Sequence, residues 1–411
     1  MEMVIFDIIS TILLAVLLFW TVYNGSIIYV GIKSKKKAIT SQKDTQPLHK
    51  FSIIIPTKNE DMVIRRCLDG IVNMDYPKEK MEIIIVDGNS TDDTKKICGE
   101  FSGRYPQLFK FISEQASKGK PAALNLALPH ISGDIVGVFD ADSLPEKDVL
   151  RKVTSHFTDN KLVALQGRTT SLNEKSNVLT RVIAMEEKAW FQALLSGREK
   201  LQLFVPLTGS CQFVRTNVLQ ELGGWDEKSL TEDVELALRL VEKNHLIKYA
   251  PEICSGQETP TSLGSLVKQR VRWYRGYMET ALKYGRLLDT LNKRTVDAEI
   301  SLSGPFMMVV SLLSYVNWLF VAIFLSESNP VLDLTGLVIV LTAVSLISIG
   351  IALTASEKPI RLRNILWIPS IYVYWLIQMF IAAWALLKLV FRRKRVWTKT
   401  AKIGSPAPNI I

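Results

Sequence analysis

Apolar residues are arranged in two different ways along the chain. Long runs almost free of charge occupy residues 3–30 and recur from 301 onward, whereas 51–285 alternates short apolar runs with helical patterning. The first long run lacks the short core and small-residue cleavage site of a signal peptide. It is about long enough to cross a ~30 Å hydrocarbon core, which predicts a retained anchor over residues 1–32. In the middle segment, strands are predicted at 51–55, 81–86, 109–112 and 134–139, with helices from Glu60, over 91–100 with Thr91 as N-cap, and over 121–130. Strands alternating with helices predict parallel pairing in an α/β sheet, whose ligands gather beyond the carboxyl ends of the strands. Pro56-Thr57, Asp87 and Asp140-Ala141-Asp142 each end a strand. Three strand ends therefore point at one crevice.

Further helices are predicted over 178–195, 231–243 and 263–288. The last interleaves Lys268, Arg270, Arg272 and Arg275 with Trp273, Tyr274 and Tyr277 just before the second apolar region, so 263–300 is expected to lie in a membrane interface. Spans are expected over 301–325 and 331–355. The run 365–390 poses a conflict. If it spans, Arg392, Arg393, Lys394 and Arg395 fall outside, against the positive-inside rule. With Pro369 interrupting it early, the expectation is an interfacial helix, the alternative a third span. Residues 301–390 are thus the C-terminal membrane region and 391–411 a basic tail.

The formal charge of +10 sharpens this layout, because Lys33, Lys35, Lys36 and Lys37 follow the first apolar run as the 392–395 cluster follows the last. Clusters there favour the cytoplasmic side and anionic lipid headgroups. The expectation is a multi-pass protein of the cell membrane with a cytoplasmic soluble domain, joined to its anchor by a basic linker over 33–50. No basic aromatic module occurs in the soluble part, so nucleic acid is not an expected partner. Cys67, Cys98, Cys211 and Cys254 show no zinc spacing and fit reduced thiols.

The candidate chemistry is carboxylate chemistry. Separating a diphosphate from an anomeric carbon requires neutralising the leaving group, and a divalent cation does this well. Asp140 and Asp142 supply hard oxygen ligands suited to Mg²⁺ or Mn²⁺. Asp87 precedes Gly88, which permits close backbone approach to a nucleotide, and Lys120 can pair with phosphate. Thr231 is placed to cap a helix whose first turn holds Glu232 and Asp233. An ionised Asp233 there can take a proton from an acceptor hydroxyl. Gln269, Arg272 and Trp273 share a helix face, the guanidinium suited to diphosphate and the indole to a sugar face. The four histidines are scattered, so no Ser/His/Asp arrangement competes.

Taken in order, these motifs resemble a membrane-embedded family 2 glycosyltransferase with a GT-A (Rossmann-like) domain over 51–262, similar to the processive synthases of cellulose, chitin, hyaluronan and poly-N-acetylglucosamine. The resemblance implies that Pro56, Thr57, Glu60 and Asp87 hold uridine and that Asp140 and Asp142 bind diphosphate and metal. It implies Asp233 as the base, and Gln269, Arg272 and Trp273 as lining for the acceptor and pyrophosphate. The stretch 396–404, with Trp397 and Lys402, resembles a gating loop that enters the site over bound nucleotide. A UDP-sugar donor, a glycan or lipid acceptor, and a small membrane helper subunit or self-association are the implied partners.

Overall fold

The computed structural model describes residues 2–34, 48–285, 292–324, 366–395, 399–400 and 402–405, with single positions between 337 and 350. Trp397 lies outside the described residues, as does the expected span over 331–355 apart from those single positions.

The four predicted strands form as β1 (Phe51–Thr57), β2 (Met81–Asp87), β3 (Phe109–Ser113) and β4 (Ile135–Val138), paired in parallel in the order β3-β2-β1-β4. Alternate residues feed two cores. Ile53, Ile55, Ile83 and Ile85 face a layer holding α2 (Asp61–Val72), α3 (Thr94–Arg104) and α5 (Val149–His156). Ile54, Ile84 and Val86 face α4 (Lys120–Ala127) and α9 (Glu232–Glu242). Burial on both faces explains why these strands read as continuous apolar runs.

Beyond β4 come β7 (Gln212–Arg215), β6 (Leu162–Ser171), β8 (Leu246–Gln257) and the two-residue β5 (Leu144–Pro145). In this rest of the sheet β6 and β8 stay parallel, while two strands depart from that pairing. Here β7 is antiparallel to both neighbours, and β5 is antiparallel to β8. The helix predicted from Thr91 begins at Thr94 instead, because the Thr91 amide donates to Asn59 Oδ1 and Asp92 Oδ1 accepts the Thr94 amide. All four cysteines are buried free thiols.

Between β6 and β7, α6 (Val178–Ala189) runs through a π-helical turn (Trp190–Leu195) into α7 (Ser196–Lys200), with α8 (Thr216–Glu221) after β7. The first apolar run is the helix α1 (Glu2–Lys33), which docks tightly on this region. A Cβ at Gly31 would stand 1.8 Å from the Ala193 carbonyl oxygen, and one at Gly197 2.0 Å from that of Ile27. Only glycine permits so close an approach. Beside this contact the buried Arg198 pairs with Asp297 at 2.6 Å, and the Tyr23 hydroxyl of α1 also donates to Asp297.

The helix α10 (Leu263–Tyr284) is followed by α11 (Lys293–Leu302), α12 (Gly304–Phe324) and α13 (Ile368–Val390). The helix α12 falls within the expected span over 301–325 and is set off from α11 by a 46° bend. Pro305 accounts for it, since its ring cannot follow the carbonyl of residue 301 in a continuous helix. Residues 8–33 of α1 and the whole of α13 are long and apolar enough to cross a membrane, or three segments if the bent pair counts as one. The amphipathic α10 packs along α13, burying Val271 and Tyr274 against Ile381, Ala382 and Ala385.

Candidate active site

The carboxyl ends of β1, β2 and β4 and the N-termini of α4 and α9 converge on a cavity of about 620 Å³, whose far end is lined by α1, α6, α12 and α13. Pro56, Thr57, Glu60, Lys120, Asp140, Asp142, Asp233, Gln269, Arg272 and Trp273 all line it. Glu60 and Asp233, 173 positions apart in sequence, both line it because sheet and helix ends converge there.

Asp87 does not line the cavity. It is fully buried beneath the loop after β2, accepting the Ser90 amide at 3.0 Å and the Ser90 hydroxyl. Its carboxylate therefore shapes that loop, whose Gly88 lines the cavity in its place and donates to the Thr57 carbonyl at 2.8 Å. Glu60 is pushed up to about 7 by burial, with Lys399 Nζ 3.1 Å away opposing the shift.

The Asp140–Asp142 pair is held by two lysines. Asp140 Oδ1 accepts from Lys120 Nζ at 2.5 Å, and Lys120 also donates to the Gly209 carbonyl at 2.8 Å. Asp142 is almost wholly buried, its Oδ2 accepting the Glu258 amide at 2.9 Å and Lys402 Nζ at 2.5 Å. Burial works against its ionisation, but the charge and hydrogen bond of Lys402 hold it below the usual carboxylate range. Glu258 in turn fastens the tail, accepting the amides of Ile403 at 2.9 Å and Ser405 at 2.6 Å.

Asp233 sits in the first turn of α9, where its Oδ1 accepts the Val234 amide at 2.8 Å. Burial, then the neighbouring Glu232, pushes its carboxyl well above the usual range, with Lys120 opposing. Gly209, at φ +80°, passes between them. A Cβ there would lie 3.0 Å from Asp233 Oδ2 and 3.1 Å from Lys120 Nζ. Thr231 is the residue before the helix but makes no side-chain cap; it packs on Gly276 of α10, where a Cβ would fall 2.5 Å from its methyl. That contact sets α9 against the helix carrying Gln269, Arg272 and Trp273. Gln269 Nε2 donates to Thr400 at 3.2 Å, Arg272 to the Leu230 carbonyl at 3.2 Å, and the Arg270 guanidinium lies 4.5 Å from the Trp273 ring centre.

Glu258 and the pair Glu186–Glu187 carry no motif of their own in the sequence and are found only in the fold. Among the described residues no group of three His, Cys, Asp or Glu forms a metal cluster. The two aspartates are nonetheless a donor set that fits a hard cation, since Mg²⁺ typically takes one or two carboxylates and completes its shell with phosphate oxygens and water. Asp140, part exposed to the cavity, is the more open of the two.

A mixed sheet with carboxylates at its strand ends, facing a helix with Gln269 and Arg272, is the architecture of a GT-A glycosyltransferase. The chain belongs to glycosyltransferase-like family 2, whose family model matches residues 49–276. It is similar to the probable glycosyltransferase YdaM of Bacillus subtilis, 35% identical over 59% of this chain and 59% of that protein. It is 31% identical to a β-monoglucosyldiacylglycerol synthase of Nostoc over 89% of this chain and 79% of that one. The poly-β-1,6-N-acetyl-D-glucosamine synthase of Staphylococcus epidermidis is 25% identical over 92% of both. Matches thus span little more than half of some relatives and nearly all of others. Among solved structures, the mannosyltransferase PcManGT from Pyrobaculum calidifontis, in complex with GDP-Man and Mn²⁺, superposes with a TM-score of 0.65 at 18% identity, covering 95% of this chain and 100% of that one. At that identity the likeness carries the fold alone.

Proposed function

We propose that this enzyme transfers a sugar, with inversion, from UDP-N-acetylglucosamine or UDP-glucose to a growing β-linked glycan at the cytoplasmic face of the cell membrane. The observation that carries the reading is the single cavity in which Asp233, the Asp140–Asp142 pair, Lys120 and the Gln269–Arg272–Trp273 face meet, with its other end among apolar helices. Pro56, Thr57 and Glu60 hold the nucleotide, while Asp87 supports them from beneath through the loop at Ser90. Lys120 and Arg272 attract the diphosphate, and Trp273 offers its ring edge to a sugar. Ionised Asp233 takes the proton of the acceptor hydroxyl as its oxygen attacks the anomeric carbon and the UDP leaves. Asp140 and Asp142 would hold Mg²⁺ or Mn²⁺, which supplies neutralisation of the departing diphosphate. The tail bearing Trp397 and Lys402 serves as the gating loop, with Lys402 giving up Asp142 when donor binds.

A second reading is transfer of one sugar to a membrane lipid. The apolar residues Met307, Met308, Leu376 and Met379 at the membrane end of the cavity favour it, as does the similarity to a β-monoglucosyldiacylglycerol synthase. Polymer export would bring in a small membrane helper subunit or a second copy. Sizing the product made from a radiolabelled donor tests the two. A ladder or high-molecular-weight product is expected from the first reading, and one addition per acceptor would replace it with the second.

A further inference from the structure

Two consecutive glutamates on α6 meet opposite fates. Glu186 is bound into a closed cluster, its Oε2 accepting from Arg270 at 2.6 Å and from the Tyr374 hydroxyl at 2.7 Å, so that α6, α10 and α13 are knotted together. Both line the active-site cavity, but the buried Oε2 of Glu187 has no hydrogen-bond partner among the described residues. Arg270 is near enough to be felt, yet its bonds go to Glu186 and Tyr374 and its face to Trp273. Burial pushes the Glu187 carboxyl up to about 8. A carboxyl in that state can donate as well as accept. Buried polar groups in proteins are overwhelmingly satisfied, and one left open on a cavity wall is available to a ligand.

Its location says which ligand. The groups suited to the nucleotide base and ribose sit at the strand ends, on β1 and the loop after β2, with Lys120 of α4 and Arg272 of α10 toward the diphosphate. Glu187 stands instead on the helical wall, packed through Val182, Ile183 and Leu266 against Ile371 and Tyr374 of α13, a helix apolar and long enough to cross a membrane. The π-helical turn that follows keeps Trp190 and Leu194 on the same cavity, and such turns often mark functional sites. An acceptor arriving from the membrane side passes this wall.

We propose that Glu187 is an acceptor-binding residue, hydrogen-bonding a hydroxyl of the acceptor next to the one that attacks. The assignment rests on the transferase reading above and holds for a hydroxyl of either source, a terminal sugar or a glycerol-type lipid head.

The test uses the full chain in detergent, with an N-acetylglucosamine pentasaccharide or dioleoylglycerol as acceptor, and the variants Glu187→Met and Glu187→Gln. The wild-type rate in this assay reads the transferase assignment, whereas the ratio of acceptor KM values between variants reads Glu187. Losing one such bond should raise the acceptor KM of Glu187→Met about tenfold with the donor KM unchanged, and Glu187→Gln should fall between. Whichever acceptor shows the rise identifies the source of the hydroxyl. An unchanged acceptor KM in Glu187→Met, or a rise in donor KM in its place, would overturn the proposal. Met fills the volume and removes an unsatisfied group, so its thermal unfolding should not fall below that of the wild type, which keeps a folding defect from imitating the effect.

Discussion

The strand-end side of the cavity and the helical wall opposite handle buried charge differently. At the strand ends each carboxylate rests on a lysine, Asp140 on Lys120 and Asp142 on Lys402. These partners are flexible point charges that can be exchanged for a ligand. On the wall, Arg270 is stacked on Trp273 and bound to Glu186 and Tyr374, an arrangement with no freedom to exchange. One side is built to trade partners and the other to stay fixed while Glu187 waits beside it. A transferase needs both, because the donor must enter and leave a site whose acceptor geometry does not move.

The largest effect expected on the strand-end side comes from Asp233→Asn. Loss of a general base lowers the transfer rate by about 10²–10⁴-fold, and calorimetry should find UDP binding unchanged. Turnover near the wild-type rate would remove Asp233 as the base. On the fixed side, Arg270→Met leaves the half-buried Glu186 without its cation, at a cost of up to about 3 kcal/mol. Thermal unfolding followed by tryptophan fluorescence checks this. The exposed pair Arg65–Glu100, 2.7 Å apart, is the control, and breaking it should leave thermal unfolding nearly unchanged because solvent screens it. Equal losses from the two would erase the distinction drawn between the sides.

The smallest effect is one of pH. Because burial and Glu232 raise the Asp233 carboxyl, the proton is retained to higher pH than on an ordinary aspartate near 4. The base acts only when ionised, so kcat/KM should fall about tenfold per unit as pH drops below this raised value. An acid limb at the ordinary carboxylate position would contradict the burial of Asp233.

What could be read from the chain follows the same division. The strand ends were legible because each is local: an apolar run, then Thr57, Asp87 or Asp140 within a residue or two. The role of Asp87 was less so, since nothing in its spacing told that Ser90 would claim it and turn it away from the cavity. The antiparallel β7 and the hold of Glu258 on Asp142, 116 residues away, depend on how the second half of the sheet folds back. Glu186 and Glu187 look alike in sequence, and only the packing of α10 and α13 on α6 separates them.

The account turns on whether this cavity cleaves a nucleotide sugar. UDP release by the purified full chain, with Mg²⁺ or Mn²⁺, across a panel of UDP-sugars measures that directly. The prediction is release from UDP-N-acetylglucosamine or UDP-glucose, lost in Asp233→Asn. Absence of release from every UDP-sugar, by protein that remains folded and is supplied with both glycan and lipid acceptors, would contradict it.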